Sequence, residues 1–119
     1  MTIVCVDDHP ILLKGLAQSV RRILPEACTH AFRSADEAFA FVKDYGCDVL
    51  ISEIEMSGSS GLALAKSVQQ VNPEVNIIFH TVCDEKEHAK EVLHIRPSGY
   101  LVKPAGKDQL EFELKNLRY

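Results

Sequence analysis

The chain has 119 residues, enough for one domain with a buried core, and its 46% apolar and 25% charged content is ordinary for a water-soluble globular fold. A formal net charge of −4 argues against direct nucleic-acid contact through the overall field, and no apolar run approaches the about 18 residues of a membrane helix. The N-terminus lacks the basic region, apolar core and cleavage site of a secretion signal, so the expectation is a single soluble cytoplasmic domain over residues 1–119.

In chain order, Thr2 to Val6 is a short apolar run without alternation, the pattern of a strand buried on both faces of a parallel sheet. It stops at two acids, Asp7 and Asp8, and His9-Pro10 opens a helix, with Pro where its missing N–H costs nothing. Leu12, Leu16, Val20 and Ile23 recur at helical spacing until Pro25. Ala27 to Phe32 is a weaker strand suited to an edge. Ser34-Ala35-Asp36-Glu37 reads as a capping box, followed by a buried stripe of Ala35, Ala38, Phe39 and Val42 and closed by Gly46. Cys47 to Ser52 is the third strand. A loop from Glu53 leads to a helix from about Gly61, burying Leu62, Ala65, Val68 and Val71 and breaking near Asn72-Pro73. Val75 to His80 is the fourth strand, ending at Thr81. Asp84 with Glu87 starts a weakly apolar helix that carries Ala89, Val92 and Leu93 and runs to about Ile95. Tyr100 to Lys103 is a fifth strand, and Gln109 to Leu117 a last helix burying Leu110, Leu114 and Leu117.

Alternating strands and helices predict an α/β fold, a doubly wound five-stranded parallel sheet in the order 2-1-3-4-5 with helices on both faces, a flavodoxin-like three-layer sandwich. Ligands gather beyond the carboxyl ends of strands in such sheets, and this order sets the ends of strands one and three side by side. Asp7, Asp8 and Glu53 then share a crevice, with Thr81 and Lys103 ending the next two strands on the same rim. At about 5 Å and an effective dielectric of about 20, each carboxylate pair repels by about 3 kcal/mol, so a proton, a cation or the Lys103 ammonium must answer them. An oxygen-rich pocket with room for water suits Mg²⁺. Ser52 points to the opposite sheet face from Glu53 by strand alternation. The five histidines lack paired metal-ligand spacing, which argues against zinc. Cys5, Cys28, Cys47 and Cys83 form no C-x-x-C pair and read as small buried hydrophobes. Gly58-Ser59-Ser60-Gly61 is no phosphate loop, since no Gly-Lys-Ser/Thr follows. Glu85-Lys86-Glu87-His88 reads as a solvated helix face.

Val4-Cys5-Val6-Asp7-Asp8-His9-Pro10 resembles the opening of two-component response-regulator receiver domains, CheY-like modules of phosphorelay signal transduction. The stretch Asp48 to Leu62 resembles their phosphoacceptor segment, D-hydrophobic-x-M-P-x-x-x-G-L, matching at Met56, Gly61 and Leu62. Ile77-Ile78-Phe79-His80-Thr81 and Gly99-Tyr100-Leu101-Val102-Lys103-Pro104 are similar to the family's two remaining motifs. The likeness implies that Asp7, Asp8, Glu53 and the backbone carbonyl of Glu55 form the Mg²⁺ shell. It also implies that Thr81 and Lys103 contact a phosphoryl group and that Tyr100 is the switch aromatic; Tyr100 equally reads as a half-buried strand residue. The sequence departs from the family twice: Glu53 stands where the phosphorylated aspartate belongs, and Ser57 replaces the proline.

The resemblance implies a regulatory module, not an enzyme, partnered by a sensor histidine kinase or its remnant and by an attached DNA-binding output domain that regulates transcription, with homodimerisation open. Arg96 to Tyr100 and Leu117-Arg118-Tyr119 look like receivers preceding such a domain. The weakly apolar fourth helix, the Tyr100 strand and the last helix correspond to the family's usual partner surface. Glu53 makes phosphorylation by the usual route doubtful and suggests mimicry of the phosphorylated state. Two rivals stand beside this reading: a pseudo-receiver acting as a metal-independent dimerisation module, and a Mg²⁺-dependent phosphotransferase or phosphatase.

Overall fold

A computed structural model describes every residue of the chain except Glu85. The elements are β1 (Thr2–Val6), α1 (Pro10–Ile23), β2 (Cys28–Phe32), α2 (Ala35–Tyr45), β3 (Val49–Ser52), β4 (Glu55–Met56), β5 (Ser59–Ser60), α3 (Gly61–Val71), β6 (Asn76–Thr81), α4 (Ala89–Ile95), β7 (Gly99–Val102) and α5 (Lys107–Lys115). Five of the strands form one sheet in the order β2-β1-β3-β6-β7, every pairing parallel. This is the expected 2-1-3-4-5 arrangement, because β4 and β5 pair only with each other.

Alternation along buried strands divides the core into two layers. Val4, Val6, Leu50, Ile77 and Phe79 face α2 and α3, meeting Ala38, Val42, Leu62, Ala65 and Val68. Ile3, Cys5, Val49, Ile51, Ile78 and Leu101 face the other way, onto Leu13, Leu16 and Val20 of α1 and Leu110 and Leu114 of α5. Neighbouring strand residues thus bury opposite sides of the sheet, which is why these strands read as continuous apolar runs.

Several local expectations are corrected. In α1 the buried stripe is Leu13, Leu16, Ala17 and Val20, whereas Leu12 is exposed, so the apolar face is rotated by one residue. Val71, at the C-terminal end of α3, is exposed, and Leu64 is buried instead. Cys28 lies exposed on the edge strand, unlike the three buried cysteines. The segment from Asp84 is not the start of α4. The Lys86 and Glu87 N–H groups fold back on Asp84 in a turn, and the helix begins at Ala89. Of the expected Glu85 to His88 helical face, Glu85 lies outside the described residues, and Lys86 to His88 are turn. The loop after Glu53 contains the β4–β5 hairpin, turned through Ser57-Gly58 with Gly58 at φ 73°, where glycine carries no side-chain penalty. The Lys103–Pro104 peptide bond is cis.

Candidate functional site

Hydrogen bonds that continue the sheet beyond its strands build the site. Asp7 N–H donates to Phe32 O (3.2 Å), Glu53 N–H to Val6 O (3.0 Å) and Lys103 N–H to Thr81 O (2.7 Å). Asp7, Glu53 and Lys103 are therefore held as the first residues past β1, β3 and β7, at one end of the sheet. Behind them, Gly61 N–H donates to Ile54 O (2.7 Å), and the Gly61 backbone passes so close to Glu53 that a Cβ there would collide with the Glu53 carbonyl. The Gly at this position admits α3 to the site.

Lys103 sits between two acids. Its Nζ donates to Asp7 Oδ2 (2.6 Å) and Glu53 Oε1 (3.1 Å), and all three side chains are nearly sealed from solvent. Glu53 Oε2 accepts from the Ile54 N–H at 2.7 Å, so both carboxylate oxygens are engaged. Asp7 Oδ1 accepts from the His9 N–H (2.9 Å) and stands 3.0 Å from His9 Nδ1. Burial pushes the Asp7 carboxyl up, but the hydrogen bonds from Lys103 and His9 prevail and hold it below the usual range. Burial likewise works against the Lys103 ammonium, and its bonds to Asp7 and Glu53 more than restore it, leaving its pKa raised.

Asp8 lies apart from this triad. Its Oδ2 accepts from the Ser57 N–H at 2.7 Å, the main cause of its lowered pKa, and its Oδ1 stands 3.1 Å from His9 Nδ1. A proline at 57 has no N–H to give, so this bond exists because of the departure from the family pattern. Asp7, Asp8 and His9 each offer a ligand atom within 4.8 Å of one another, while Glu53 is outside that group. The three acids thus share a rim but not one three-carboxylate cage.

Thr81 is fully buried, and its hydroxyl accepts from the Cys83 N–H at 3.1 Å. Tyr100 is half-buried, its ring edge-on to Phe79 at 6.1 Å and its hydroxyl donating to Cys83 O at 2.9 Å. Glu55 opens β4 with an exposed side chain 3.4 Å from His88 Nε2. Ser52 Oγ is buried and donates to Glu53 O, away from the acid's carboxylate. The partners missed by sequence reasoning are the Ser57 and Ile54 N–H groups and the His9 ring. His9 alone carried a signal, as the residue following two strand-end acids; backbone donors leave none.

The chemistry available is that of an anionic pocket partly satisfied from within. Asp7 and Asp8 supply the hard oxygens a divalent cation prefers, and Asp8 Oδ1 is shielded from solvent without a hydrogen bond among the described residues, so this pair fits Mg²⁺. Glu53 lies outside this group, each of its oxygens engaged by one hydrogen bond.

Comparison with known proteins gives a consistent picture. The profile of the response regulator receiver domain matches residues 3–115. The oxygen regulatory protein NreC of Staphylococcus aureus is 28% identical over 118 residues, covering 98% of this chain and 54% of the relative. Among solved structures, chemotaxis protein CheY4 of Vibrio cholerae superposes with a TM-score of 0.85 at 22% identity, covering 96% of this chain and 95% of that one. RcsB from Salmonella enterica serovar Typhimurium, solved bound to promoter rprA in the presence of phosphomimetic BeF3⁻, superposes with a TM-score of 0.82 at 24% identity, covering 99% and 68%. The chain spans about half the length of the curated relatives it matches.

Proposed function

The chain belongs to the response regulator receiver domain family, and on that premise we propose that it signals without phosphorylation, its pocket carrying a permanent anion at Glu53. The observation that carries this reading is the engagement of both Glu53 oxygens within the pocket. Lys103 spans Asp7 and Glu53, the Ile54 N–H takes the second Glu53 oxygen, and the Ser57 N–H takes one oxygen of Asp8. In-line attack on a phosphohistidine needs a carboxylate oxygen free and correctly placed. Glutamate moves that oxygen by about 1 Å relative to aspartate, a displacement that costs about 10²-fold in a positioned reaction.

Glu53 offers Lys103 one negative charge where a phosphoryl group adds about 1.5 to 2, so the bias toward the signalling state is partial. Tyr100, folded onto Phe79 and held by Cys83 O, supports an inward switch arrangement. Thr81 accepts the Cys83 N–H through its oxygen and still carries an O–H proton to donate, so it keeps its family role as the hydroxyl nearest an incoming phosphoryl. Asp7 and Asp8 would hold Mg²⁺, with the Glu55 carbonyl completing the shell as in the family; the ion would supply positive charge against the pocket's acids. Ser57 N–H competes for Asp8 and weakens that binding.

The domain acts by interaction, not turnover. Leu93 of α4, Val102 of β7 and Phe112 of α5 are exposed large apolar residues, which supports a partner or homodimer surface on these elements. The fraction of relatives covered, and the promoter-bound RcsB, support a DNA-binding output domain in the whole protein. A sensor histidine kinase, or one whose input is no longer read, is the upstream partner. The internal bonds to Asp8 and Glu53 also favour a second reading, a dimerisation module that never binds metal.

Amide NMR spectra of the wild type, Glu53→Gln and Glu53→Asp, the last with and without BeF3⁻, test the proposal. Wild-type shifts around Cys83 and Tyr100 should lie between those of Glu53→Asp alone and Glu53→Asp with BeF3⁻, and Glu53→Gln should move them back. Wild-type shifts coinciding with unliganded Glu53→Asp contradict it. A Mg²⁺ titration with no response at Asp8 would favour the metal-independent module.

A further inference from the structure

A second cluster of ligand-type side chains lies outside the acidic pocket. Glu55 of β4 meets Cys83, Glu87 and His88 from the segment joining β6 to α4, and one donor atom from each lies within 4.8 Å of all the others. His88 Nε2 is 3.4 Å from Glu55 Oε2. That nitrogen is shielded from solvent, yet it makes no hydrogen bond among the described residues. Cys83 is buried, whereas Glu55 and Glu87 are exposed, leaving an open approach from water.

We propose that Glu55, Cys83, Glu87 and His88 form a tetrahedral site for a borderline divalent cation of the Zn²⁺ class, clipping the β6–α4 segment to the β4–β5 hairpin. The donor set is one sulfur, one imidazole nitrogen and two carboxylate oxygens, which suits zinc rather than magnesium. Zinc bonds of about 2.0 to 2.3 Å in tetrahedral geometry put donor atoms about 3.3 to 3.6 Å apart. The His88–Glu55 pair already has that spacing, and the whole cluster needs to contract by at most about 1.5 Å, within reach of side-chain rotation. Binding releases the Cys83 thiol proton to water as the thiolate takes its place on the metal. Neither histidine spacing nor cysteine pairing in the sequence announces such a site, because two chain segments far apart contribute to it.

Its place gives it consequence. Glu55 follows Glu53 by two residues, and the Cys83 carbonyl accepts the Tyr100 hydroxyl. A cation here fixes the loop that holds the switch aromatic, which makes the domain responsive to metal supply independently of phosphorylation. This proposal stands on its own geometry and survives if the reading of Glu53 fails.

Cobalt titration of the reduced full chain tests it. One Co²⁺ bound by the wild type, displaceable by Zn²⁺, should show a near-ultraviolet thiolate charge-transfer band and the strong visible bands of tetrahedral cobalt, whereas Co²⁺ at the sulfur-free Asp7–Asp8 pair gives no thiolate band. Cys83→Ser should abolish the charge-transfer band, and His88→Gln should weaken affinity by about 100-fold or more, beyond the loss typical of supporting partners. Cys28→Ser, at the exposed cysteine, and Asp8→Asn, in the acidic pocket, should leave the spectrum unchanged. Absent bands, bands that survive Cys83→Ser, or bands lost with Cys28→Ser or Asp8→Asn would overturn the assignment. If Cys83→Ser proves misfolded by circular dichroism, His88→Gln and the surface change Glu87→Gln decide by the same affinity loss.

Discussion

One ammonium pairs with two buried carboxylates at the heart of the site, which leaves one negative charge unbalanced. Because the Lys103 side chain is only 7% exposed, Lys103→Met strands Asp7 and Glu53 together and should destabilise the domain by about 3 to 5 kcal/mol at neutral pH. Denaturant unfolding at stepped pH checks this, and the deficit should shrink toward acid pH as the Asp7 carboxyl takes up a proton. Asp7 has a folded pKa below its ordinary 3.8, so its contribution is present above that value and fades as pH falls through the lower, folded one. Lys103 has a folded pKa above its ordinary 10.5, so its contribution is present below that value and fades as pH rises through the higher, folded one. Asp7→Asn should therefore lose most stability near neutrality and converge on the wild type in acid, as the same unfolding series would show.

Ser57 invites a converse change. Ser57→Pro removes the N–H bonded to Asp8, so the Asp8 carboxyl should titrate closer to its ordinary range and Mg²⁺ should bind more tightly; carboxyl NMR and magnesium titration read both. At this scale the sequence disclosed which side chains end the strands, since Asp7, Glu53 and Lys103 follow apolar runs. It could not disclose the backbone donors on Glu53 and Asp8. Nor could it show that Thr81 turns to Cys83 N–H, because hydroxyl orientation depends on a turn with no distinctive residue pattern.

Among the elements, α3 approaches the site through one position. Gly61→Ala would drive a Cβ into the Glu53 carbonyl, and the backbone must yield; a loss of about 1 to 3 kcal/mol in unfolding free energy is expected, with Glu53 amide shifts displaced. The strands and their order were legible because parallel strands buried on both faces leave uninterrupted apolar runs. Helix faces were less so. Leu12 and Leu13 are adjacent and chemically identical, so spacing alone did not select Leu13 for the core. The β4–β5 hairpin has two residues per strand, too few for a period to emerge. The start of α4 was misread because Asp84 and Glu87 make a turn with the same residue signature as a capping box. Leu93, one of the few apolar residues of α4, is 74% exposed, so Leu93→Lys should change stability by no more than about 0.5 kcal/mol while altering any self-association seen by sedimentation.

For the molecule as a whole, the family's layered sheet is retained while two of its motif positions are changed, and both changes act on the same rim. Glu53 gives Lys103 a resident anion, and Ser57 gives Asp8 a resident donor. On the proposed reading, each supplies internally what a phosphoryl group or a metal ion supplies to a receiver of the usual pattern. The most direct measurement is intact-mass analysis after incubation with acetyl phosphate and Mg²⁺. The wild type should keep its mass, while Glu53→Asp should gain one hydroxylamine-sensitive phosphoryl group. A stoichiometric phosphoryl adduct on the wild type, mapped to Glu53 and lost in Glu53→Gln, would contradict the account.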